Sequence, residues 1–233
     1  MINPLLRGTQ TSQFLSYLAS AQIADQEERL PALNDLSKEL GVGLSVLREQ
    51  LEVARALGLV EVRPRTGIRR LPYSFFPAVQ QSLSYAIRRS PLAFEAFADL
   101  RNHLEACYWD EAVRKLLPED KLELQALMRR AWAKLSSPMV QIPHEDHRNL
   151  HLLIYRRLEN PYVIGILEAY WDAYEAIGLN VYTDLSYLQD VWRYHERMVN
   201  AICSGDYSDG LRALIEHKDL LFHRPGAPKD DQR

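Results

Sequence analysis

The stretch from Leu30 to Leu71 changes its hydrophobic period within a short distance, and this change constrains the fold more than any other feature of the chain. Two short amphipathic helical patterns flank the break GVGL, and alternating β-type residues then surround the turn RPRTG. Gly41 is suited to end the first helix, Ser45 to cap the second and Gly58 to end it. The sequence therefore predicts a helix, a turn, a second helix and a β-hairpin around an apolar interior. That interior would contain Leu36, Leu40, Val42, Leu47, Leu51 and Leu57.

Helical periodicity dominates the rest of the chain. Residues 9–24 predict a first helix, and after the proline- and aromatic-rich residues 72–78 the helical period continues to about His223. Proline, glycine and asparagine punctuate this long stretch into separate segments. Seven helices are predicted, at 79–89, 92–117, 119–136, 143–159, 161–178, 184–204 and 207–222.

These patterns predict a mainly α protein with two domains. Residues 1–73 would form a winged helix-turn-helix with a small β-hairpin wing, and residues 78–223 an all-α bundle of six or seven helices. The tail at 224–233 has too few apolar residues to pack, so we expect it to be disordered.

Composition limits the possible cellular compartment and partners of the protein. No apolar run approaches the roughly 20 residues that span a bilayer, and the first residues turn polar too soon for a secretory signal. We therefore expect a cytoplasmic protein with no membrane partner. The formal net charge of −3 argues against indiscriminate coating of nucleic acid, so any DNA contact should be local. The two cysteines lack the spacing of a metal site and are expected to be buried hydrophobic residues.

A helix-turn-helix presents its second helix to the major groove of duplex DNA, so exposed polar residues there are candidate DNA contacts. Ser45, Arg48 and Gln50 occupy these positions. The predicted wing is basic and suits the phosphate backbone or the minor groove. Its candidate contacts are Arg63, Arg65, Thr66 and Gly67. The alternative is a small helical subdomain with an incidental basic turn.

The N-terminal pattern resembles the winged helix domain of the GntR family, in the runs LPALNDLS, LGVGLSVLREQL and ARALGLVEVRPRTG. The resemblance implies a transcription regulator, by family default a repressor, that binds a pseudo-palindromic operator as a homodimer. Asn34 and Leu44 stand where the family often has DNA-contacting arginines. The loss of these arginines implies a different operator, weaker binding or more reliance on the wing and on DNA shape.

Four of the seven histidines form a spaced set. His147 and His151 are four residues apart and therefore lie roughly 40° apart on one helix face, whereas Asp146 turns roughly 140° away from His151. His195 and His217 lie in the last two predicted helices, flanked by apolar residues. The four imidazoles are expected to converge inside the bundle.

The helical part resembles the FCD domain of the FadR-like branch of the GntR family. His151 precedes Asn160–Pro161 at the family's interval, and His195 and His217 have the family's separation. The resemblance implies a divalent metal held by His147, His151, His195 and His217. His147 replaces the usual aspartate of the family, and an all-imidazole set favours Zn²⁺ or Ni²⁺ over harder ions.

The same resemblance implies a small organic acid or related metabolite as the effector. Arg101, in ADLRNHLEA, matches the family's arginine on a long early helix and is a candidate to bind a carboxylate. A salt-bridge arginine is an equal alternative at this position.

Three other interpretations of the helical part stay open. The histidines could line a metal-free polar cavity that hydrogen-bonds a ligand, or the domain could serve only to dimerise a DNA-binding protein. Three histidines around an open metal position also occur in hydrolases. The sequence lacks a general base placed as in HExxH and a nucleophile elbow, so we expect no catalytic residues and no enzyme.

Overall fold

The computed structural model describes residues 12–20, 29–178 and 184–222, and it divides the chain into two compact units after Gln81. The proposed tail at 224–233 and both ends of the predicted first helix lie outside the described residues. As predicted, the chain is mainly helical, with a small two-stranded antiparallel sheet.

The first unit contains the predicted helix-turn-helix and hairpin. Gly41 ends the second helix in the left-handed conformation, with φ of 65°, and its N–H donates to the carbonyl of Ser37. Buried apolar residues from every element, including Phe14, Leu36 and Leu47, form one core. The elements are α1 (Gln13–Ser20), α2 (Leu33–Leu40), α3 (Leu44–Ala56), β1 (Val60–Arg63) and β2 (Gly67–Arg70).

The predicted cap at the start of α3 is wrong. The helix begins at Leu44 after Gly43, which makes no side-chain cap, so Ser45 lies inside the first turn. The end of α3 is close to the prediction, because Gly58 follows the last residues with φ of 69°. A Cβ atom at Gly58 would lie 2.4 Å from Cγ of Pro77, so this turn requires glycine for both reasons.

The hairpin is the predicted wing. Val60 pairs with Arg70 and Arg63 with Gly67, which leaves three residues in the turn. The N–H of Leu30 donates to the carbonyl of Ile68 at 2.9 Å and extends the sheet beside β2. Arg70 donates to the carbonyl of Leu18, and this bond ties α1 to the base of the wing.

The remaining seven helices agree with the predicted segments to within a few residues. Their core includes Trp109, Leu124, Leu150 and Trp192, all at most 1% exposed. The boundary between the two compact units, after Gln81, lies inside the first of these helices. They are α4 (Phe76–Arg89), α5 (Leu92–Lys115), α6 (Pro118–Leu135), α7 (His144–Tyr155), α8 (Pro161–Ala176), α9 (Leu185–Ser204) and α10 (Tyr207–Phe222).

A buried carboxylate joins the start of α6 to the end of α7. Asp120 accepts from the N–H of Leu117 at 2.8 Å in the first turn of α6, and it forms ion pairs with Arg156 and Arg157. These arginines fix the carboxylate and hold its pKa well below the usual range.

Helix length and the burial of the cysteines can also be described. Within the described parts of the chain, none of the helices is long and apolar enough to cross a bilayer. Cys107 is exposed on α5 and Cys203 is half-buried, so the expectation that both cysteines are buried was wrong.

Candidate metal centre and DNA-binding residues

Three helices of the second unit bring four histidines together. α7 supplies His147 and His151, α9 supplies His195 and α10 supplies His217. One ring nitrogen from each lies within 4.8 Å of the others. The rings of His195 and His217 are closest, with centroids 4.3 Å apart. We call this set the four-histidine cluster.

The helical period explains which neighbours are included. His147 and His151 share one face of α7, whereas Asp146 points elsewhere and is itself buried. Its two oxygens accept from Nε of Arg130 at 3.0 Å and from Nζ of Lys134 at 2.6 Å. The carboxylate next to the cluster is therefore neutralised by α6 and contributes no ligand to the cluster.

Hydrogen bonds orient two of the imidazoles. Nδ1 of His195 lies 2.8 Å from the carbonyl of Val191, and its Nε2 lies 3.1 Å from Nε2 of His151. By contrast, Nε2 of His147 and Nδ1 of His217 are buried and have no hydrogen-bond partner among the described residues. Buried, unpartnered ring nitrogens are costly unless another species binds them.

Burial keeps the cluster neutral at physiological pH. It lowers the pKa of His195 from 6.5 to about 3, and it lowers the pKa values of His147, His151 and His217 well below 6.5. Neighbouring imidazoles and the Arg101 guanidinium add to the effect. Neutral imidazoles carry the lone pair that a metal ion needs.

The donor set fits a divalent transition metal. Four neutral nitrogens within 4.8 Å, two of them orphaned, match the number and type of ligand that zinc uses. The absence of a carboxylate from the set disfavours Mg²⁺, Ca²⁺ and Mn²⁺. The residues present could therefore hold Zn²⁺ or Ni²⁺.

Arg101 and Glu105 form a buried ion pair beside the cluster. Nη2 of Arg101 lies 2.9 Å from Oε2 of Glu105 and 2.8 Å from Nδ1 of His151, and both side chains are at most 2% exposed. Arg101 also donates to Oδ1 of Asn102 at 3.2 Å. The structure thus places the predicted effector arginine in a salt bridge, with its Nε still lacking a partner among the described residues.

Sequence reasoning missed Glu105. Its Oε1 lies 3.2 Å from Nδ1 of His151, and burial raises its pKa from 4.5 to about 7 although Arg101 acts in the opposite direction. The available signal was its position four residues after Arg101 on one helix. That spacing is common on exposed helix faces, so it did not indicate burial.

Aromatic rings enclose the site, and sequence reasoning did not include Trp171 among the site residues. The ring of Trp171 lies 4.6 Å from that of His147, and its indole N–H is buried with no partner in the described parts of the chain. The Arg101 guanidinium stacks over Tyr170 at 4.7 Å and over Trp171 at 5.4 Å. These aromatic contacts exclude water from the site, and electrostatic interactions there are therefore stronger.

A small cavity adjoins the cluster. His147 and His217 line it, together with Tyr174, Tyr187 and Trp192. Its volume is about 30 Å³, which is room for about two water molecules.

Two of the candidate DNA contacts on α3 are exposed, and one is engaged within the unit. Ser45 and Arg48 lie on the solvent face opposite the buried Leu47 and Leu51. Gln50 is half-buried, and its Oε1 accepts from the N–H of Phe14 at 2.9 Å. Gln50 therefore holds α1 against α3.

The candidate residues of the wing are exposed. Arg65 lies at the tip with φ of 68°, a rare conformation for a residue with a side chain, and Gly67 follows with φ of 82°. Arg63 lies nearer the base, and its Nε donates to Oε2 of Glu61 at 3.0 Å. Thr66 is exposed in the turn between Arg63 and Gly67.

Comparison with known proteins gives one family and several structural relatives. A family model described as the FCD domain matches residues 96–219, more than half of the chain. E. coli McbR/YncC has a similar structure, with 19% identity, a TM-score of 0.50, and coverage of 91% of this chain and 96% of that one. Streptococcus agalactiae GntR has 15% identity, a TM-score of 0.63 and the same coverage. Curated protein sequences give no match.

Proposed function

Since this chain belongs to the FCD-domain family and is a GntR-type transcription regulator rather than an enzyme, we propose that it is a metal-dependent repressor that responds to a small organic acid. The single observation that carries the proposal is the four-histidine cluster inside the matched domain. The proposed metal is Zn²⁺ or Ni²⁺, with His147, His151, His195 and His217 as ligands. A bound ion would supply positive charge to attract an acidic ligand.

Hydrogen-bond donors beside the cluster support an acidic effector. Nε of Arg101 and the indole N–H of Trp171 are buried without acceptors among the described residues. A carboxylate would satisfy such donors, and planar bidentate contact with arginine is its usual mode of recognition. The same donors would be left unpaired by a neutral apolar ligand.

The DNA-binding function is assigned to the first unit. A homodimer would place two copies of α3 on half-sites of a pseudo-palindromic operator, with Ser45 and Arg48 near base edges or phosphates. Gln50 stays a predicted contact through its remaining amide group. Arg63, Arg65, Thr66 and Gly67 of the wing would follow the backbone or the minor groove.

The regulatory step is an allosteric change in DNA affinity. Couplings of this kind are typically about 1 to 3 kcal/mol, and they are reciprocal. If the effector weakens DNA binding, DNA must therefore weaken effector binding by the same factor.

Metal analysis tests the proposal first. Mass spectrometry of the purified protein should find about one zinc or nickel ion per chain, and His195→Ala should lose it. His103→Ala is the matched control, because His103 is exposed on α5 with its ring near Asp99. Fluorescence anisotropy with labelled operator DNA, with and without the metal, then measures the coupling.

The outcomes separate the alternatives. A folded wild-type protein that binds DNA but takes up no metal would overturn the metal-dependent mechanism and favour a metal-free cavity. If the metal-loaded protein binds DNA with the same affinity in the presence of every organic acid in a screen, the result would favour a helical domain that only dimerises.

A further inference from the structure

The proton on His195 can be placed from its neighbours. The carbonyl of Val191 can only accept, so Nδ1 of His195, 2.8 Å away, carries the hydrogen. A neutral imidazole has one N–H, and therefore Nε2 of His195 presents a lone pair. This lone pair faces Nε2 of His151 at 3.1 Å.

The proton on His151 follows from the same logic. Its Nε2 must donate to the lone pair of His195, so its Nδ1 carries no hydrogen. That arrangement suits Arg101, whose Nη2 donates to Nδ1 at 2.8 Å. It does not suit an ionised Glu105, because Oε1 would then meet a lone pair on Nδ1 at 3.2 Å, and only a protonated carboxyl could donate to Nδ1.

The other tautomer reverses every one of these contacts. With its proton on Nδ1, His151 donates to Oε1 of Glu105 and no longer accepts from Arg101. Its Nε2 then presents a second lone pair towards that of His195, which is favourable only with a cation between them. The geometry thus supports one tautomer without a metal and the other with it.

We propose that Glu105 is a positioning residue for the metal centre: it accepts the Nδ1 proton of His151 in the metal-binding tautomer, and this shift frees one N–H of Arg101 for an acidic ligand. The inference rests on the metal site of the proposed function. The net charge of His151 does not change, since Nε2 releases one proton to solvent and Nδ1 takes up one proton from solvent. Metal therefore prepares Arg101 for the acid, and the acid in turn favours the metal.

Nuclear magnetic resonance of protein labelled with ¹⁵N-histidine tests the tautomer directly. The metal-free protein should show His151 with its proton on Nε2, and Zn²⁺ alone should move that proton to Nδ1. Assignment uses His151→Gln, which removes one set of signals. A metal-free His151 that already carries its proton on Nδ1 would overturn the inference.

Zinc affinity tests Glu105 separately. Competition with a chromophoric chelator should show Zn²⁺ binding about tenfold weaker in Glu105→Gln, since carboxylates that support a ligating imidazole typically have effects of this size. Glu111→Gln is the control on the same helix, where an exposed glutamate pairs with Lys115. Unchanged affinity in folded Glu105→Gln would reject the positioning role.

These measurements distinguish this inference from the wider proposal. Absence of any Zn²⁺ binding would defeat both, whereas Zn²⁺ binding without a change of tautomer would defeat the role of Glu105 alone. The Glu105→Gln spectrum adds a readout that mere loss of packing would not move. Its zinc-bound form should show a weaker preference for the Nδ1 proton on His151.

Discussion

At the scale of single residues, Asp120 is a tightly held carboxylate of the helical domain. It is fully buried, closes the first turn of α6 and binds two arginines from the end of α7. Because the arginines are more than a third exposed, solvent screens part of the attraction. An amide in place of the carboxylate keeps only one acceptor oxygen, so part of these hydrogen bonds is lost.

We predict that Asp120→Asn lowers the free energy of unfolding by about 1 to 3 kcal/mol, the usual contribution of hydrogen bonds to a charged group. Urea denaturation at pH 7 measures the difference. Asp110→Asn is the control, because Asp110 pairs with Arg114 on the exposed face of α5. A stability equal to that of the wild type would mean that the arginines contribute nothing.

The Asp120 carboxylate also makes the stability of the domain depend on pH in the acid range. The folded pKa of Asp120 lies below its ordinary value of 3.8, so its contribution is present above that value and is lost as the pH falls below it. The difference between wild type and Asp120→Asn should therefore shrink between pH 7 and pH 3. A difference that grows in acid would contradict the assigned direction.

Gly210 allows α10 to approach α5 closely. A Cβ atom there would lie 2.6 Å from Cζ2 of Trp109, whose indole N–H donates to the carbonyl of Tyr207. We predict that Gly210→Ala destabilises the domain by about 1 to 3 kcal/mol, because overpacking outweighs the gain in helix propensity. Thermal unfolding measures it, and a melting temperature of Gly210→Ala equal to that of the wild type would contradict the close contact with Trp109.

Sequence alone predicted the histidines better than their supporting residues. The spacing of His147 and His151 and the resemblance to a known family both indicated the cluster. Glu105 and Trp171 were missed because their importance depends on burial and on which atoms lack partners. These properties arise from packing between helices and leave no local pattern.

At the scale of elements, boundaries were predictable wherever capping chemistry marks them. Asn160 accepts from the N–H groups of Tyr162 and Val163 at the start of α8, directly before Pro161. Asp184 caps α9 in the same way. The start of α3 was mispredicted because Gly43 and Ser45 are both plausible caps, and the local sequence does not choose between them.

α3 carries the prediction for DNA binding. Arg48→Ala should weaken binding to duplexes selected by the wild-type protein, because an exposed cation near phosphate or a guanine edge is lost. The slope of log affinity against log salt concentration should also become shallower if the contact is to phosphate. Metal content should not change.

The matched variant is His151→Ala, which should lose the metal while keeping the charge of α3. Anisotropy and mass spectrometry on both variants give four measurements. Normal DNA affinity in folded Arg48→Ala would show that α3 is not the recognition helix.

At the scale of the whole molecule, metal removal should cost stability. A ligand that binds only the folded chain at 100 times its dissociation constant adds about 2.7 kcal/mol. We predict that chelation lowers the melting temperature by several degrees and that added Zn²⁺ restores it. In His147→Ala the chelator should have little effect, and an unaltered wild-type melting curve would count against a metal in the fold.

The cavity beside the cluster has a kinetic consequence. Its volume is well below that of a typical pocket for a small organic molecule, so we expect the proposed acidic effector to bind only when the neighbouring helices move apart. Binding is then gated by a minor open state, and the measured dissociation constant is the intrinsic one divided by the open fraction. Association rates should reach a plateau at high ligand concentration, at the opening rate of the domain itself.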